Sequence, residues 1–135
     1  MKAFFIQEPE QIDSQLHRLL PVFNRLPEVK EFKPEQLFEL AKQNRVVIGY
    51  LEQDGEVVMA GAMEFINYPN MTSLNIIALA GSNLTKAHAL FMDSLFTFAR
   101  QAGATYIEAL CHDPMARLLT KYGFNKSYTQ MRIEV

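Results

Sequence analysis

Gly103-Ala104-Thr105-Tyr106-Ile107-Glu108-Ala109-Leu110-Cys111-His112-Asp113-Pro114, closed ten residues later by Gly123-Phe124, is the stretch that decides the fold. Thr105 to Leu110 is rich in branched and aromatic residues and reads as a strand. Before it, Leu84, Ala87, Phe91, Leu95, Phe98 and Ala102 recur at steps of three and four, which predicts a long amphipathic helix from about Asn83 to Ala102. Gly103 stops that helix, because glycine takes the left-handed closing conformation without steric cost. Asp113-Pro114 opens the next helix, with Asp113 as the expected N-cap and proline at the first helical position. That helix ends at Gly123, and a final strand is expected after Phe124.

Working towards the N-terminus, Ala3-Phe4-Phe5-Ile6 reads as a first strand. A helix follows from near Pro9, with Ile12, Leu16, Leu19 and Leu20 on one face and Pro21 as its expected end. The segment from Val22 to Lys33 is expected to be irregular, and a short helix starts at Pro34 with Leu37, Leu40 and Ala41 inward, ending near Asn44. Val46–Leu51 and Val57–Met63 read as strands joined through Gln53-Asp54-Gly55, a strong hairpin signal. Tyr68-Pro69-Asn70 turns the chain into another strand, Met71 to Ala80. The crossover through the long helix makes that strand parallel to the one at Thr105, so the sheet is mixed. The expectation is one α/β domain over residues 1–135, in the order strand, two helices, three strands, helix, strand, helix, strand.

Composition narrows the function classes. A chain of 135 residues can bury about 68–70% of its unfolded surface. Its 49% hydrophobic and 21% charged residues are globular values, which argues against disorder. No apolar run approaches the roughly 20 residues of a membrane span, and no signal-peptide pattern is seen, so a soluble, cytoplasmic protein is expected. The lone cysteine, Cys111, cannot form an internal disulfide, which fits a reducing compartment. Net charge is −2 with the basic residues scattered, which disfavours nucleic acid as a partner. His17 and His88 show no metal-ligand spacing with a carboxylate, so no metal is expected.

The element order resembles the GNAT superfamily of N-acyltransferases over nearly the whole chain. Asp54-Gly55-Glu56-Val57-Val58 with Gly61 looks like that family's hairpin between its second and third strands. Phe98-Ala99-Arg100-Gln101-Ala102-Gly103-Ala104 is similar to the end of its long helix, and Ala116–Phe124 to the late helix that ends in Gly-Phe. In length and style the chain is also similar to small GNAT-like proteins of tailed bacteriophages. The resemblance implies acetyl-CoA as cofactor and a small-molecule or protein amine as acceptor. It places the cofactor where the fourth strand meets the long helix, here Gly81, Ser82, Asn83, Leu84, Thr85 and Lys86. Free backbone N–H groups and the positive end of a helix favour a pyrophosphate there, and Lys86 offsets part of the charge. The family's Gln/Arg-x-x-Gly-x-Gly/Ala pattern is missing from this junction, where Gly81 is the only glycine.

Acyl transfer to an amine needs a proton acceptor for the amine and a proton donor for the departing thiolate. The family's tyrosine acid, four residues before the glycine of Gly-Phe, corresponds to Leu119; Tyr122 lies too far around the helix to replace it. The fourth strand carries no ionisable group, and Asn75 there can only position a water. Glu64 is an alternative at the end of the preceding strand. In Cys111-His112-Asp113, at the end of the fifth strand, His112 is the best single residue for proton transfer, since histidine is the side-chain type suited to general acid–base work. Two readings follow: an acetyl-CoA-dependent N-acetyltransferase using His112 and Asn75, or a catalytically inactive GNAT-fold binding or assembly module. A gap between the strands at Leu74 and Ile107 favours the first, and a gap filled by Phe91, Leu110 or Met115 the second. A homodimer is compatible with either.

Overall fold

The computed structural model describes residues 1–81 and 85–135. Five strands form one sheet in chain order: β1 Lys2–Ile6, β2 Val47–Gln53, β3 Glu56–Asn67, β4 Thr72–Gly81 and β5 Tyr106–Ala109. All neighbours are antiparallel except β4 and β5, which are parallel as the crossover requires. Four helices cover it: α1 Glu10–Phe23, α2 Pro34–Lys42, α3 Thr85–Gln101 and α4 Asp113–Thr120.

Alternation along the strands sends side chains to two separate cores. On one face Ile48, Tyr50, Ala60, Ala62, Ala78 and Ala80 pack beneath Ile12, Leu19, Val22, Phe23, Leu37 and Phe38 of α1 and α2. On the other, Leu51, Met59, Met63, Leu74, Ile76 and Leu79 meet Ala87, Phe91, Met92, Leu95 and Ala99 of α3, with Leu119 of α4. The small alanines of β3 and β4 face the bulky α1 and α2 residues, so large and small groups interlock across that layer. The β2–β3 turn has φ of +53° at Asp54 and +81° at Gly55, the pair of positive values that a type I′ hairpin demands. Arg18 of α1 clamps this hairpin by donating to Glu52 and, over 3.0 Å, to the Gly55 carbonyl.

Three expectations need correction. Helix α1 does not end at Pro21 but runs on to Phe23. Proline removes one N–H from the ladder, yet Val22 and Phe23 are buried, and Phe23 meets Phe38 edge to face at 5.4 Å. Burying those two side chains contributes about 3–6 kcal/mol, enough to offset the roughly 3 kcal/mol cost of the proline. The cap of α4 is His112, with Asp113 as the first helical residue. The strand expected after Phe124 is not formed; residues 125–135 have no ladder partner, and a strand needs one to satisfy its backbone groups.

Gly81 closes β4 with φ of +130°. A Cβ there would stand 2.5 Å from the Val58 carbonyl oxygen and 2.7 Å from the Met59 Cα, both on β3. The fold itself therefore demands this glycine, independently of any ligand. Replacing it by alanine (Gly81→Ala) is expected to lower unfolding free energy by about 2–4 kcal/mol through backbone strain and steric overlap. Urea denaturation checks this; an unchanged midpoint would refute it.

Candidate functional site

Strand β4 contains one residue too many for its partner. Ala62 of β3 stands opposite Ala78, but the next residue, Met63, stands opposite Ile76, so Ile77 is extruded as a bulge. A bulge bends its strand and sharpens the local twist. Pairing of β4 with β5 covers only Ser73–Ile76 and Tyr106–Ala109 and stops where the bulge begins. Ala78 to Gly81 pair with β3 alone, and Ile77 with neither neighbour. Leu74 and Ile107, where a gap would favour the enzyme reading, are ladder partners; as ladder partners the two strands part after Ile76 and Ala109.

The three residues considered as plugs have different surroundings. Leu110 is 62% exposed. Phe91 is fully buried in the α3 layer, its ring 6.2 Å from Phe5 of β1, and Met115 packs into the same core.

Just before the parting, a polar row crosses the sheet. Glu64, Asn75 and Glu108 are register partners on β3, β4 and β5. Their neighbours Met63, Leu74, Ile76, Ile107 and Ala109 belong to the α3 core, so the row points to the α1–α2 face. Asn75 donates to Glu64 Oε1 at 3.2 Å, and the Tyr68 hydroxyl, from the β3–β4 turn, donates to Glu108 Oε1 at 2.8 Å. This bond to a carboxylate, with partial desolvation, holds the Tyr68 phenol above its ordinary value of 10.0. Tyr68 therefore keeps its proton across the physiological range.

His112 is exposed at the cap of α4, four residues past Glu108, whereas Asn75 lies within the β4–β5 ladder. The neighbour of His112 is Glu31 in the α1–α2 loop, whose carboxyl is held below the usual value chiefly by a 2.6 Å bond from Arg132 and to a lesser degree by His112. Cys111 is exposed, and its thiol is pushed up by partial burial and by Asp113, which disfavours a thiolate nucleophile.

No protein-family model matches the chain, and comparison with curated proteins finds no match. Comparison with solved structures gives full-length matches. An aminoglycoside acetyltransferase from an uncultured soil metagenomic sample, in complex with sisomicin, matches with a TM-score of 0.77 at 12% identity, over 99% of this chain and 95% of that one. The ribosomal-protein-alanine N-acetyltransferase of Brucella melitensis biovar Abortus 2308 matches over the full length of both chains, with a TM-score of 0.73 at 10% identity. An acetyltransferase of Trypanosoma brucei matches over 99% of both chains, with a TM-score of 0.71 at 16% identity.

The fold is that of the GNAT acetyltransferases. Within this GNAT fold, the β4–α3 junction presents Gly81, Thr85 and Lys86 exposed on either side of Ser82, Asn83 and Leu84, which lie outside the described residues. Leu119, at the position of the expected tyrosine acid, is 3% exposed and serves the α3–α4 core. Tyr122 is half-buried in the same layer, as a packing residue. Among the described residues no group of three His, Cys, Asp or Glu side chains is arranged to hold a metal ion, and no helix is long and apolar enough to cross a membrane. A surface depression of about 260 Å³ between β1, α1 and α3 touches neither the polar row nor His112.

Sequence reasoning missed Glu108, Tyr68, Glu31 and Arg132. A signal for Glu108 was present, since it is the one ionisable residue between the apolar Ile107 and Ala109 in a strand parallel to that of Asn75. Tyr68 is expected to titrate above pH 10, and Glu108→Gln to bring it back towards 10, because the carboxylate charge favours the protonated phenol. Ultraviolet titration of the difference between Tyr68→Phe and the parent chain reads this directly; a Tyr68 titration unmoved by Glu108→Gln would contradict it.

Proposed function

We propose that the protein is an N-acetyltransferase that moves the acetyl group of acetyl-CoA to an amine. The observation that carries this reading is the parting of β4 from β5 at the Ile77 bulge, directly beside the Glu64–Asn75–Glu108 row. The free edge of Ile77–Gly81 offers backbone N–H and C=O groups in strand geometry, suited to the amide-bearing arm of a CoA thioester in the manner of an added strand. Gly81, Ser82, Asn83, Leu84, Thr85 and Lys86 would hold the pyrophosphate, with Lys86 as the counter-charge and the start of α3 supplying N–H donors. When bound, the cofactor supplies an activated acyl carbon.

The chain's own residues then act on the acceptor. Glu64 and Glu108 attract a protonated amine to the α1–α2 face, and Asn75 between them holds a water. Through that water Glu108 takes the proton that the nitrogen must lose to attack, while Tyr68 fixes the carboxylate's orientation. The thiolate of the cofactor would be the leaving group; His112 at the start of α4, or solvent, would give it a proton, and the acetylated nitrogen would lose its remaining proton to solvent. Backbone N–H groups of the free β4 edge would stabilise negative charge developing on the acyl oxygen. Holding amine and thioester together can contribute much of the rate.

A second reading, a GNAT-fold binding module without catalysis, draws on one specific observation: Leu119 is buried in the core where the resemblance leads one to expect a tyrosine acid.

Calorimetric titration with acetyl-CoA separates the two. Binding in the micromolar range is expected, weakened about 5–10-fold in Lys86→Glu, as for loss of one charge-assisted contact. Glu108→Gln is expected to leave that binding unchanged but to lower kcat/KM towards an amine by about 10²–10⁴-fold, read as thiol release. Absence of binding at millimolar cofactor would refute the enzyme reading and leave the module.

A further inference from the structure

Strand β1 is an outer strand of the sheet, and its two large rings lean the same way. Phe4 stacks on Tyr50, its register partner on β2, with ring centroids 5.2 Å apart. Phe5 lies over Gly49, also its register partner, so closely that a Cβ on that glycine would stand 2.6 Å from the ring. The same ring stacks on Phe98 of α3 at 4.5 Å. Both rings therefore reach inward over β2, one on each face, and neither covers the outer edge of β1.

Natural sheets blunt such edges with charge, proline or cover. Residues 2–6 contain no proline, and their one charge, Lys2, rests over the Phe4 ring at 5.2 Å. Among the described residues no strand pairs with this edge. On the α3 side it is flanked by an open depression of about 410 Å³, between Ala3 and Gln7 and the α3 residues Asp93, Ser94, Thr97 and Gln101. An apolar strand with a bare edge and open space beside it is a template for another strand.

We propose that the occupant is β1 of a second copy of this chain, paired antiparallel about a two-fold axis. Such an axis stands perpendicular to the sheet and keeps its faces, α3 with α3. Opposed residues of an antiparallel pair point to the same face, so only registers in which the two residue numbers have an even sum are open. With Phe4 on the axis, Lys2 faces the partner's Ile6, and a charge is set against an apolar side chain. With Phe5 on the axis, Lys2 faces the partner's Glu8, Ala3 faces the partner's Gln7, and Phe4 faces the partner's Ile6. Among the described residues neither Lys2 nor Glu8 has an ion pair within its own chain, and Glu52, opposite Lys2 on β2, is taken by Arg18. Charge complementarity selects the Phe5 register, because the two-fold makes the Lys–Glu contact twice, once at each end of the ladder. The joint sheet runs β2, β1, partner's β1, partner's β2 with every neighbour antiparallel, and an isologous pairing uses each edge once and closes. The site at β4 and β5 lies on the far side of the sheet and stays open in both copies.

The test uses the full 135-residue chain. Light scattering after gel filtration at micromolar concentration is expected to give twice the 15.5 kDa chain mass. Lys2→Glu sets like charges opposite each other at both ends of the ladder and is expected to raise the dimer dissociation constant about 10-fold at low salt; adding Glu8→Lys is expected to restore it. In a Cys111→Ser background, Ala3→Cys with Gln7→Cys is expected to form a disulfide-linked dimer under mild oxidation, since opposed Cα atoms of an antiparallel pair are about 4.5–5.5 Å apart. Gln7→Cys alone is expected to stay unlinked, because the two copies of position 7 lie about 13 Å apart along the ladder. A monomeric parent chain overturns the proposal, as does a dimer that Lys2→Glu leaves unchanged or that the double reversal fails to restore. A dimer whose thiols at positions 3 and 7 resist oxidation overturns it as well. If Ala3→Cys does not fold, the charge reversals decide alone.

Discussion

One extra residue in β4 organises the molecule. Without the bulge at Ile77, the alternation of side chains along β4 would continue unbroken. With it, Leu74, Ile76 and Leu79 all face α3 while Ile77, Ala78 and Ala80 face α1 and α2, so two apolar residues in succession enter one core. The sheet tolerates the irregularity because helices cover both faces and each bulky residue still finds an apolar layer. The β4–β5 ladder stops at this same point, so Ile77–Gly81 have no partner on the β5 side.

The placement of the polar row follows from that constraint. Parallel pairing persists for only four residues, and its third rung sets Asn75 beside Glu108 with Glu64 on the far side. Two carboxylates flanking one amide would be an uneven choice for a packed strand interior, where unpaired charge is expensive. Here both remain part-exposed, and each has a neutral donor: Asn75 for Glu64 and Tyr68 for Glu108. That arrangement leaves both groups partly solvated yet fixed by a donor, which suits an ammonium or a water better than an apolar ligand. Its position one residue before the strands part brings it to the inner end of the free β4 edge.

Much of the fold was legible in the sequence because its signals are local. Asp54-Gly55 specified the hairpin, the three-and-four spacing specified α3, and Asp113-Pro114 specified the start of α4. Pro21 misled because tertiary burial of Val22 and Phe23 outweighed a local rule. The bulge could not be read, since Ile77 is an ordinary strand residue and only the register with β3 exposes it. The site was harder for the same reason. His112 and Asn75 stood out by residue type, whereas the meeting of Tyr68 with Glu108, forty residues apart in the chain, depends on β-register. Chemistry that is assembled across strands leaves little trace along any one of them. Ser82, Asn83 and Leu84, chosen by resemblance, lie outside the described residues, whereas Gly81 has a structural reason to be glycine that resemblance does not supply.

The free stretch of β4 and the outer edge of β5 are different in kind. The edge of β4 is short, interior to the parting, and followed directly by a helix whose N-terminus favours an anion, so a small extended ligand can satisfy it and a whole strand has little room. The edge of β5 is on the outside, where nothing limits the approach of a polypeptide, and exposed Tyr106 and Leu110 mark its two ends. An outer edge left open invites indiscriminate pairing, and natural sheets blunt such edges with charge, proline or cover. Strand β5 has no proline or lysine, and its single charge, Glu108, is turned to the α1–α2 face and bonded to Tyr68. Protection of this edge must therefore come from cover rather than from the strand's own residues.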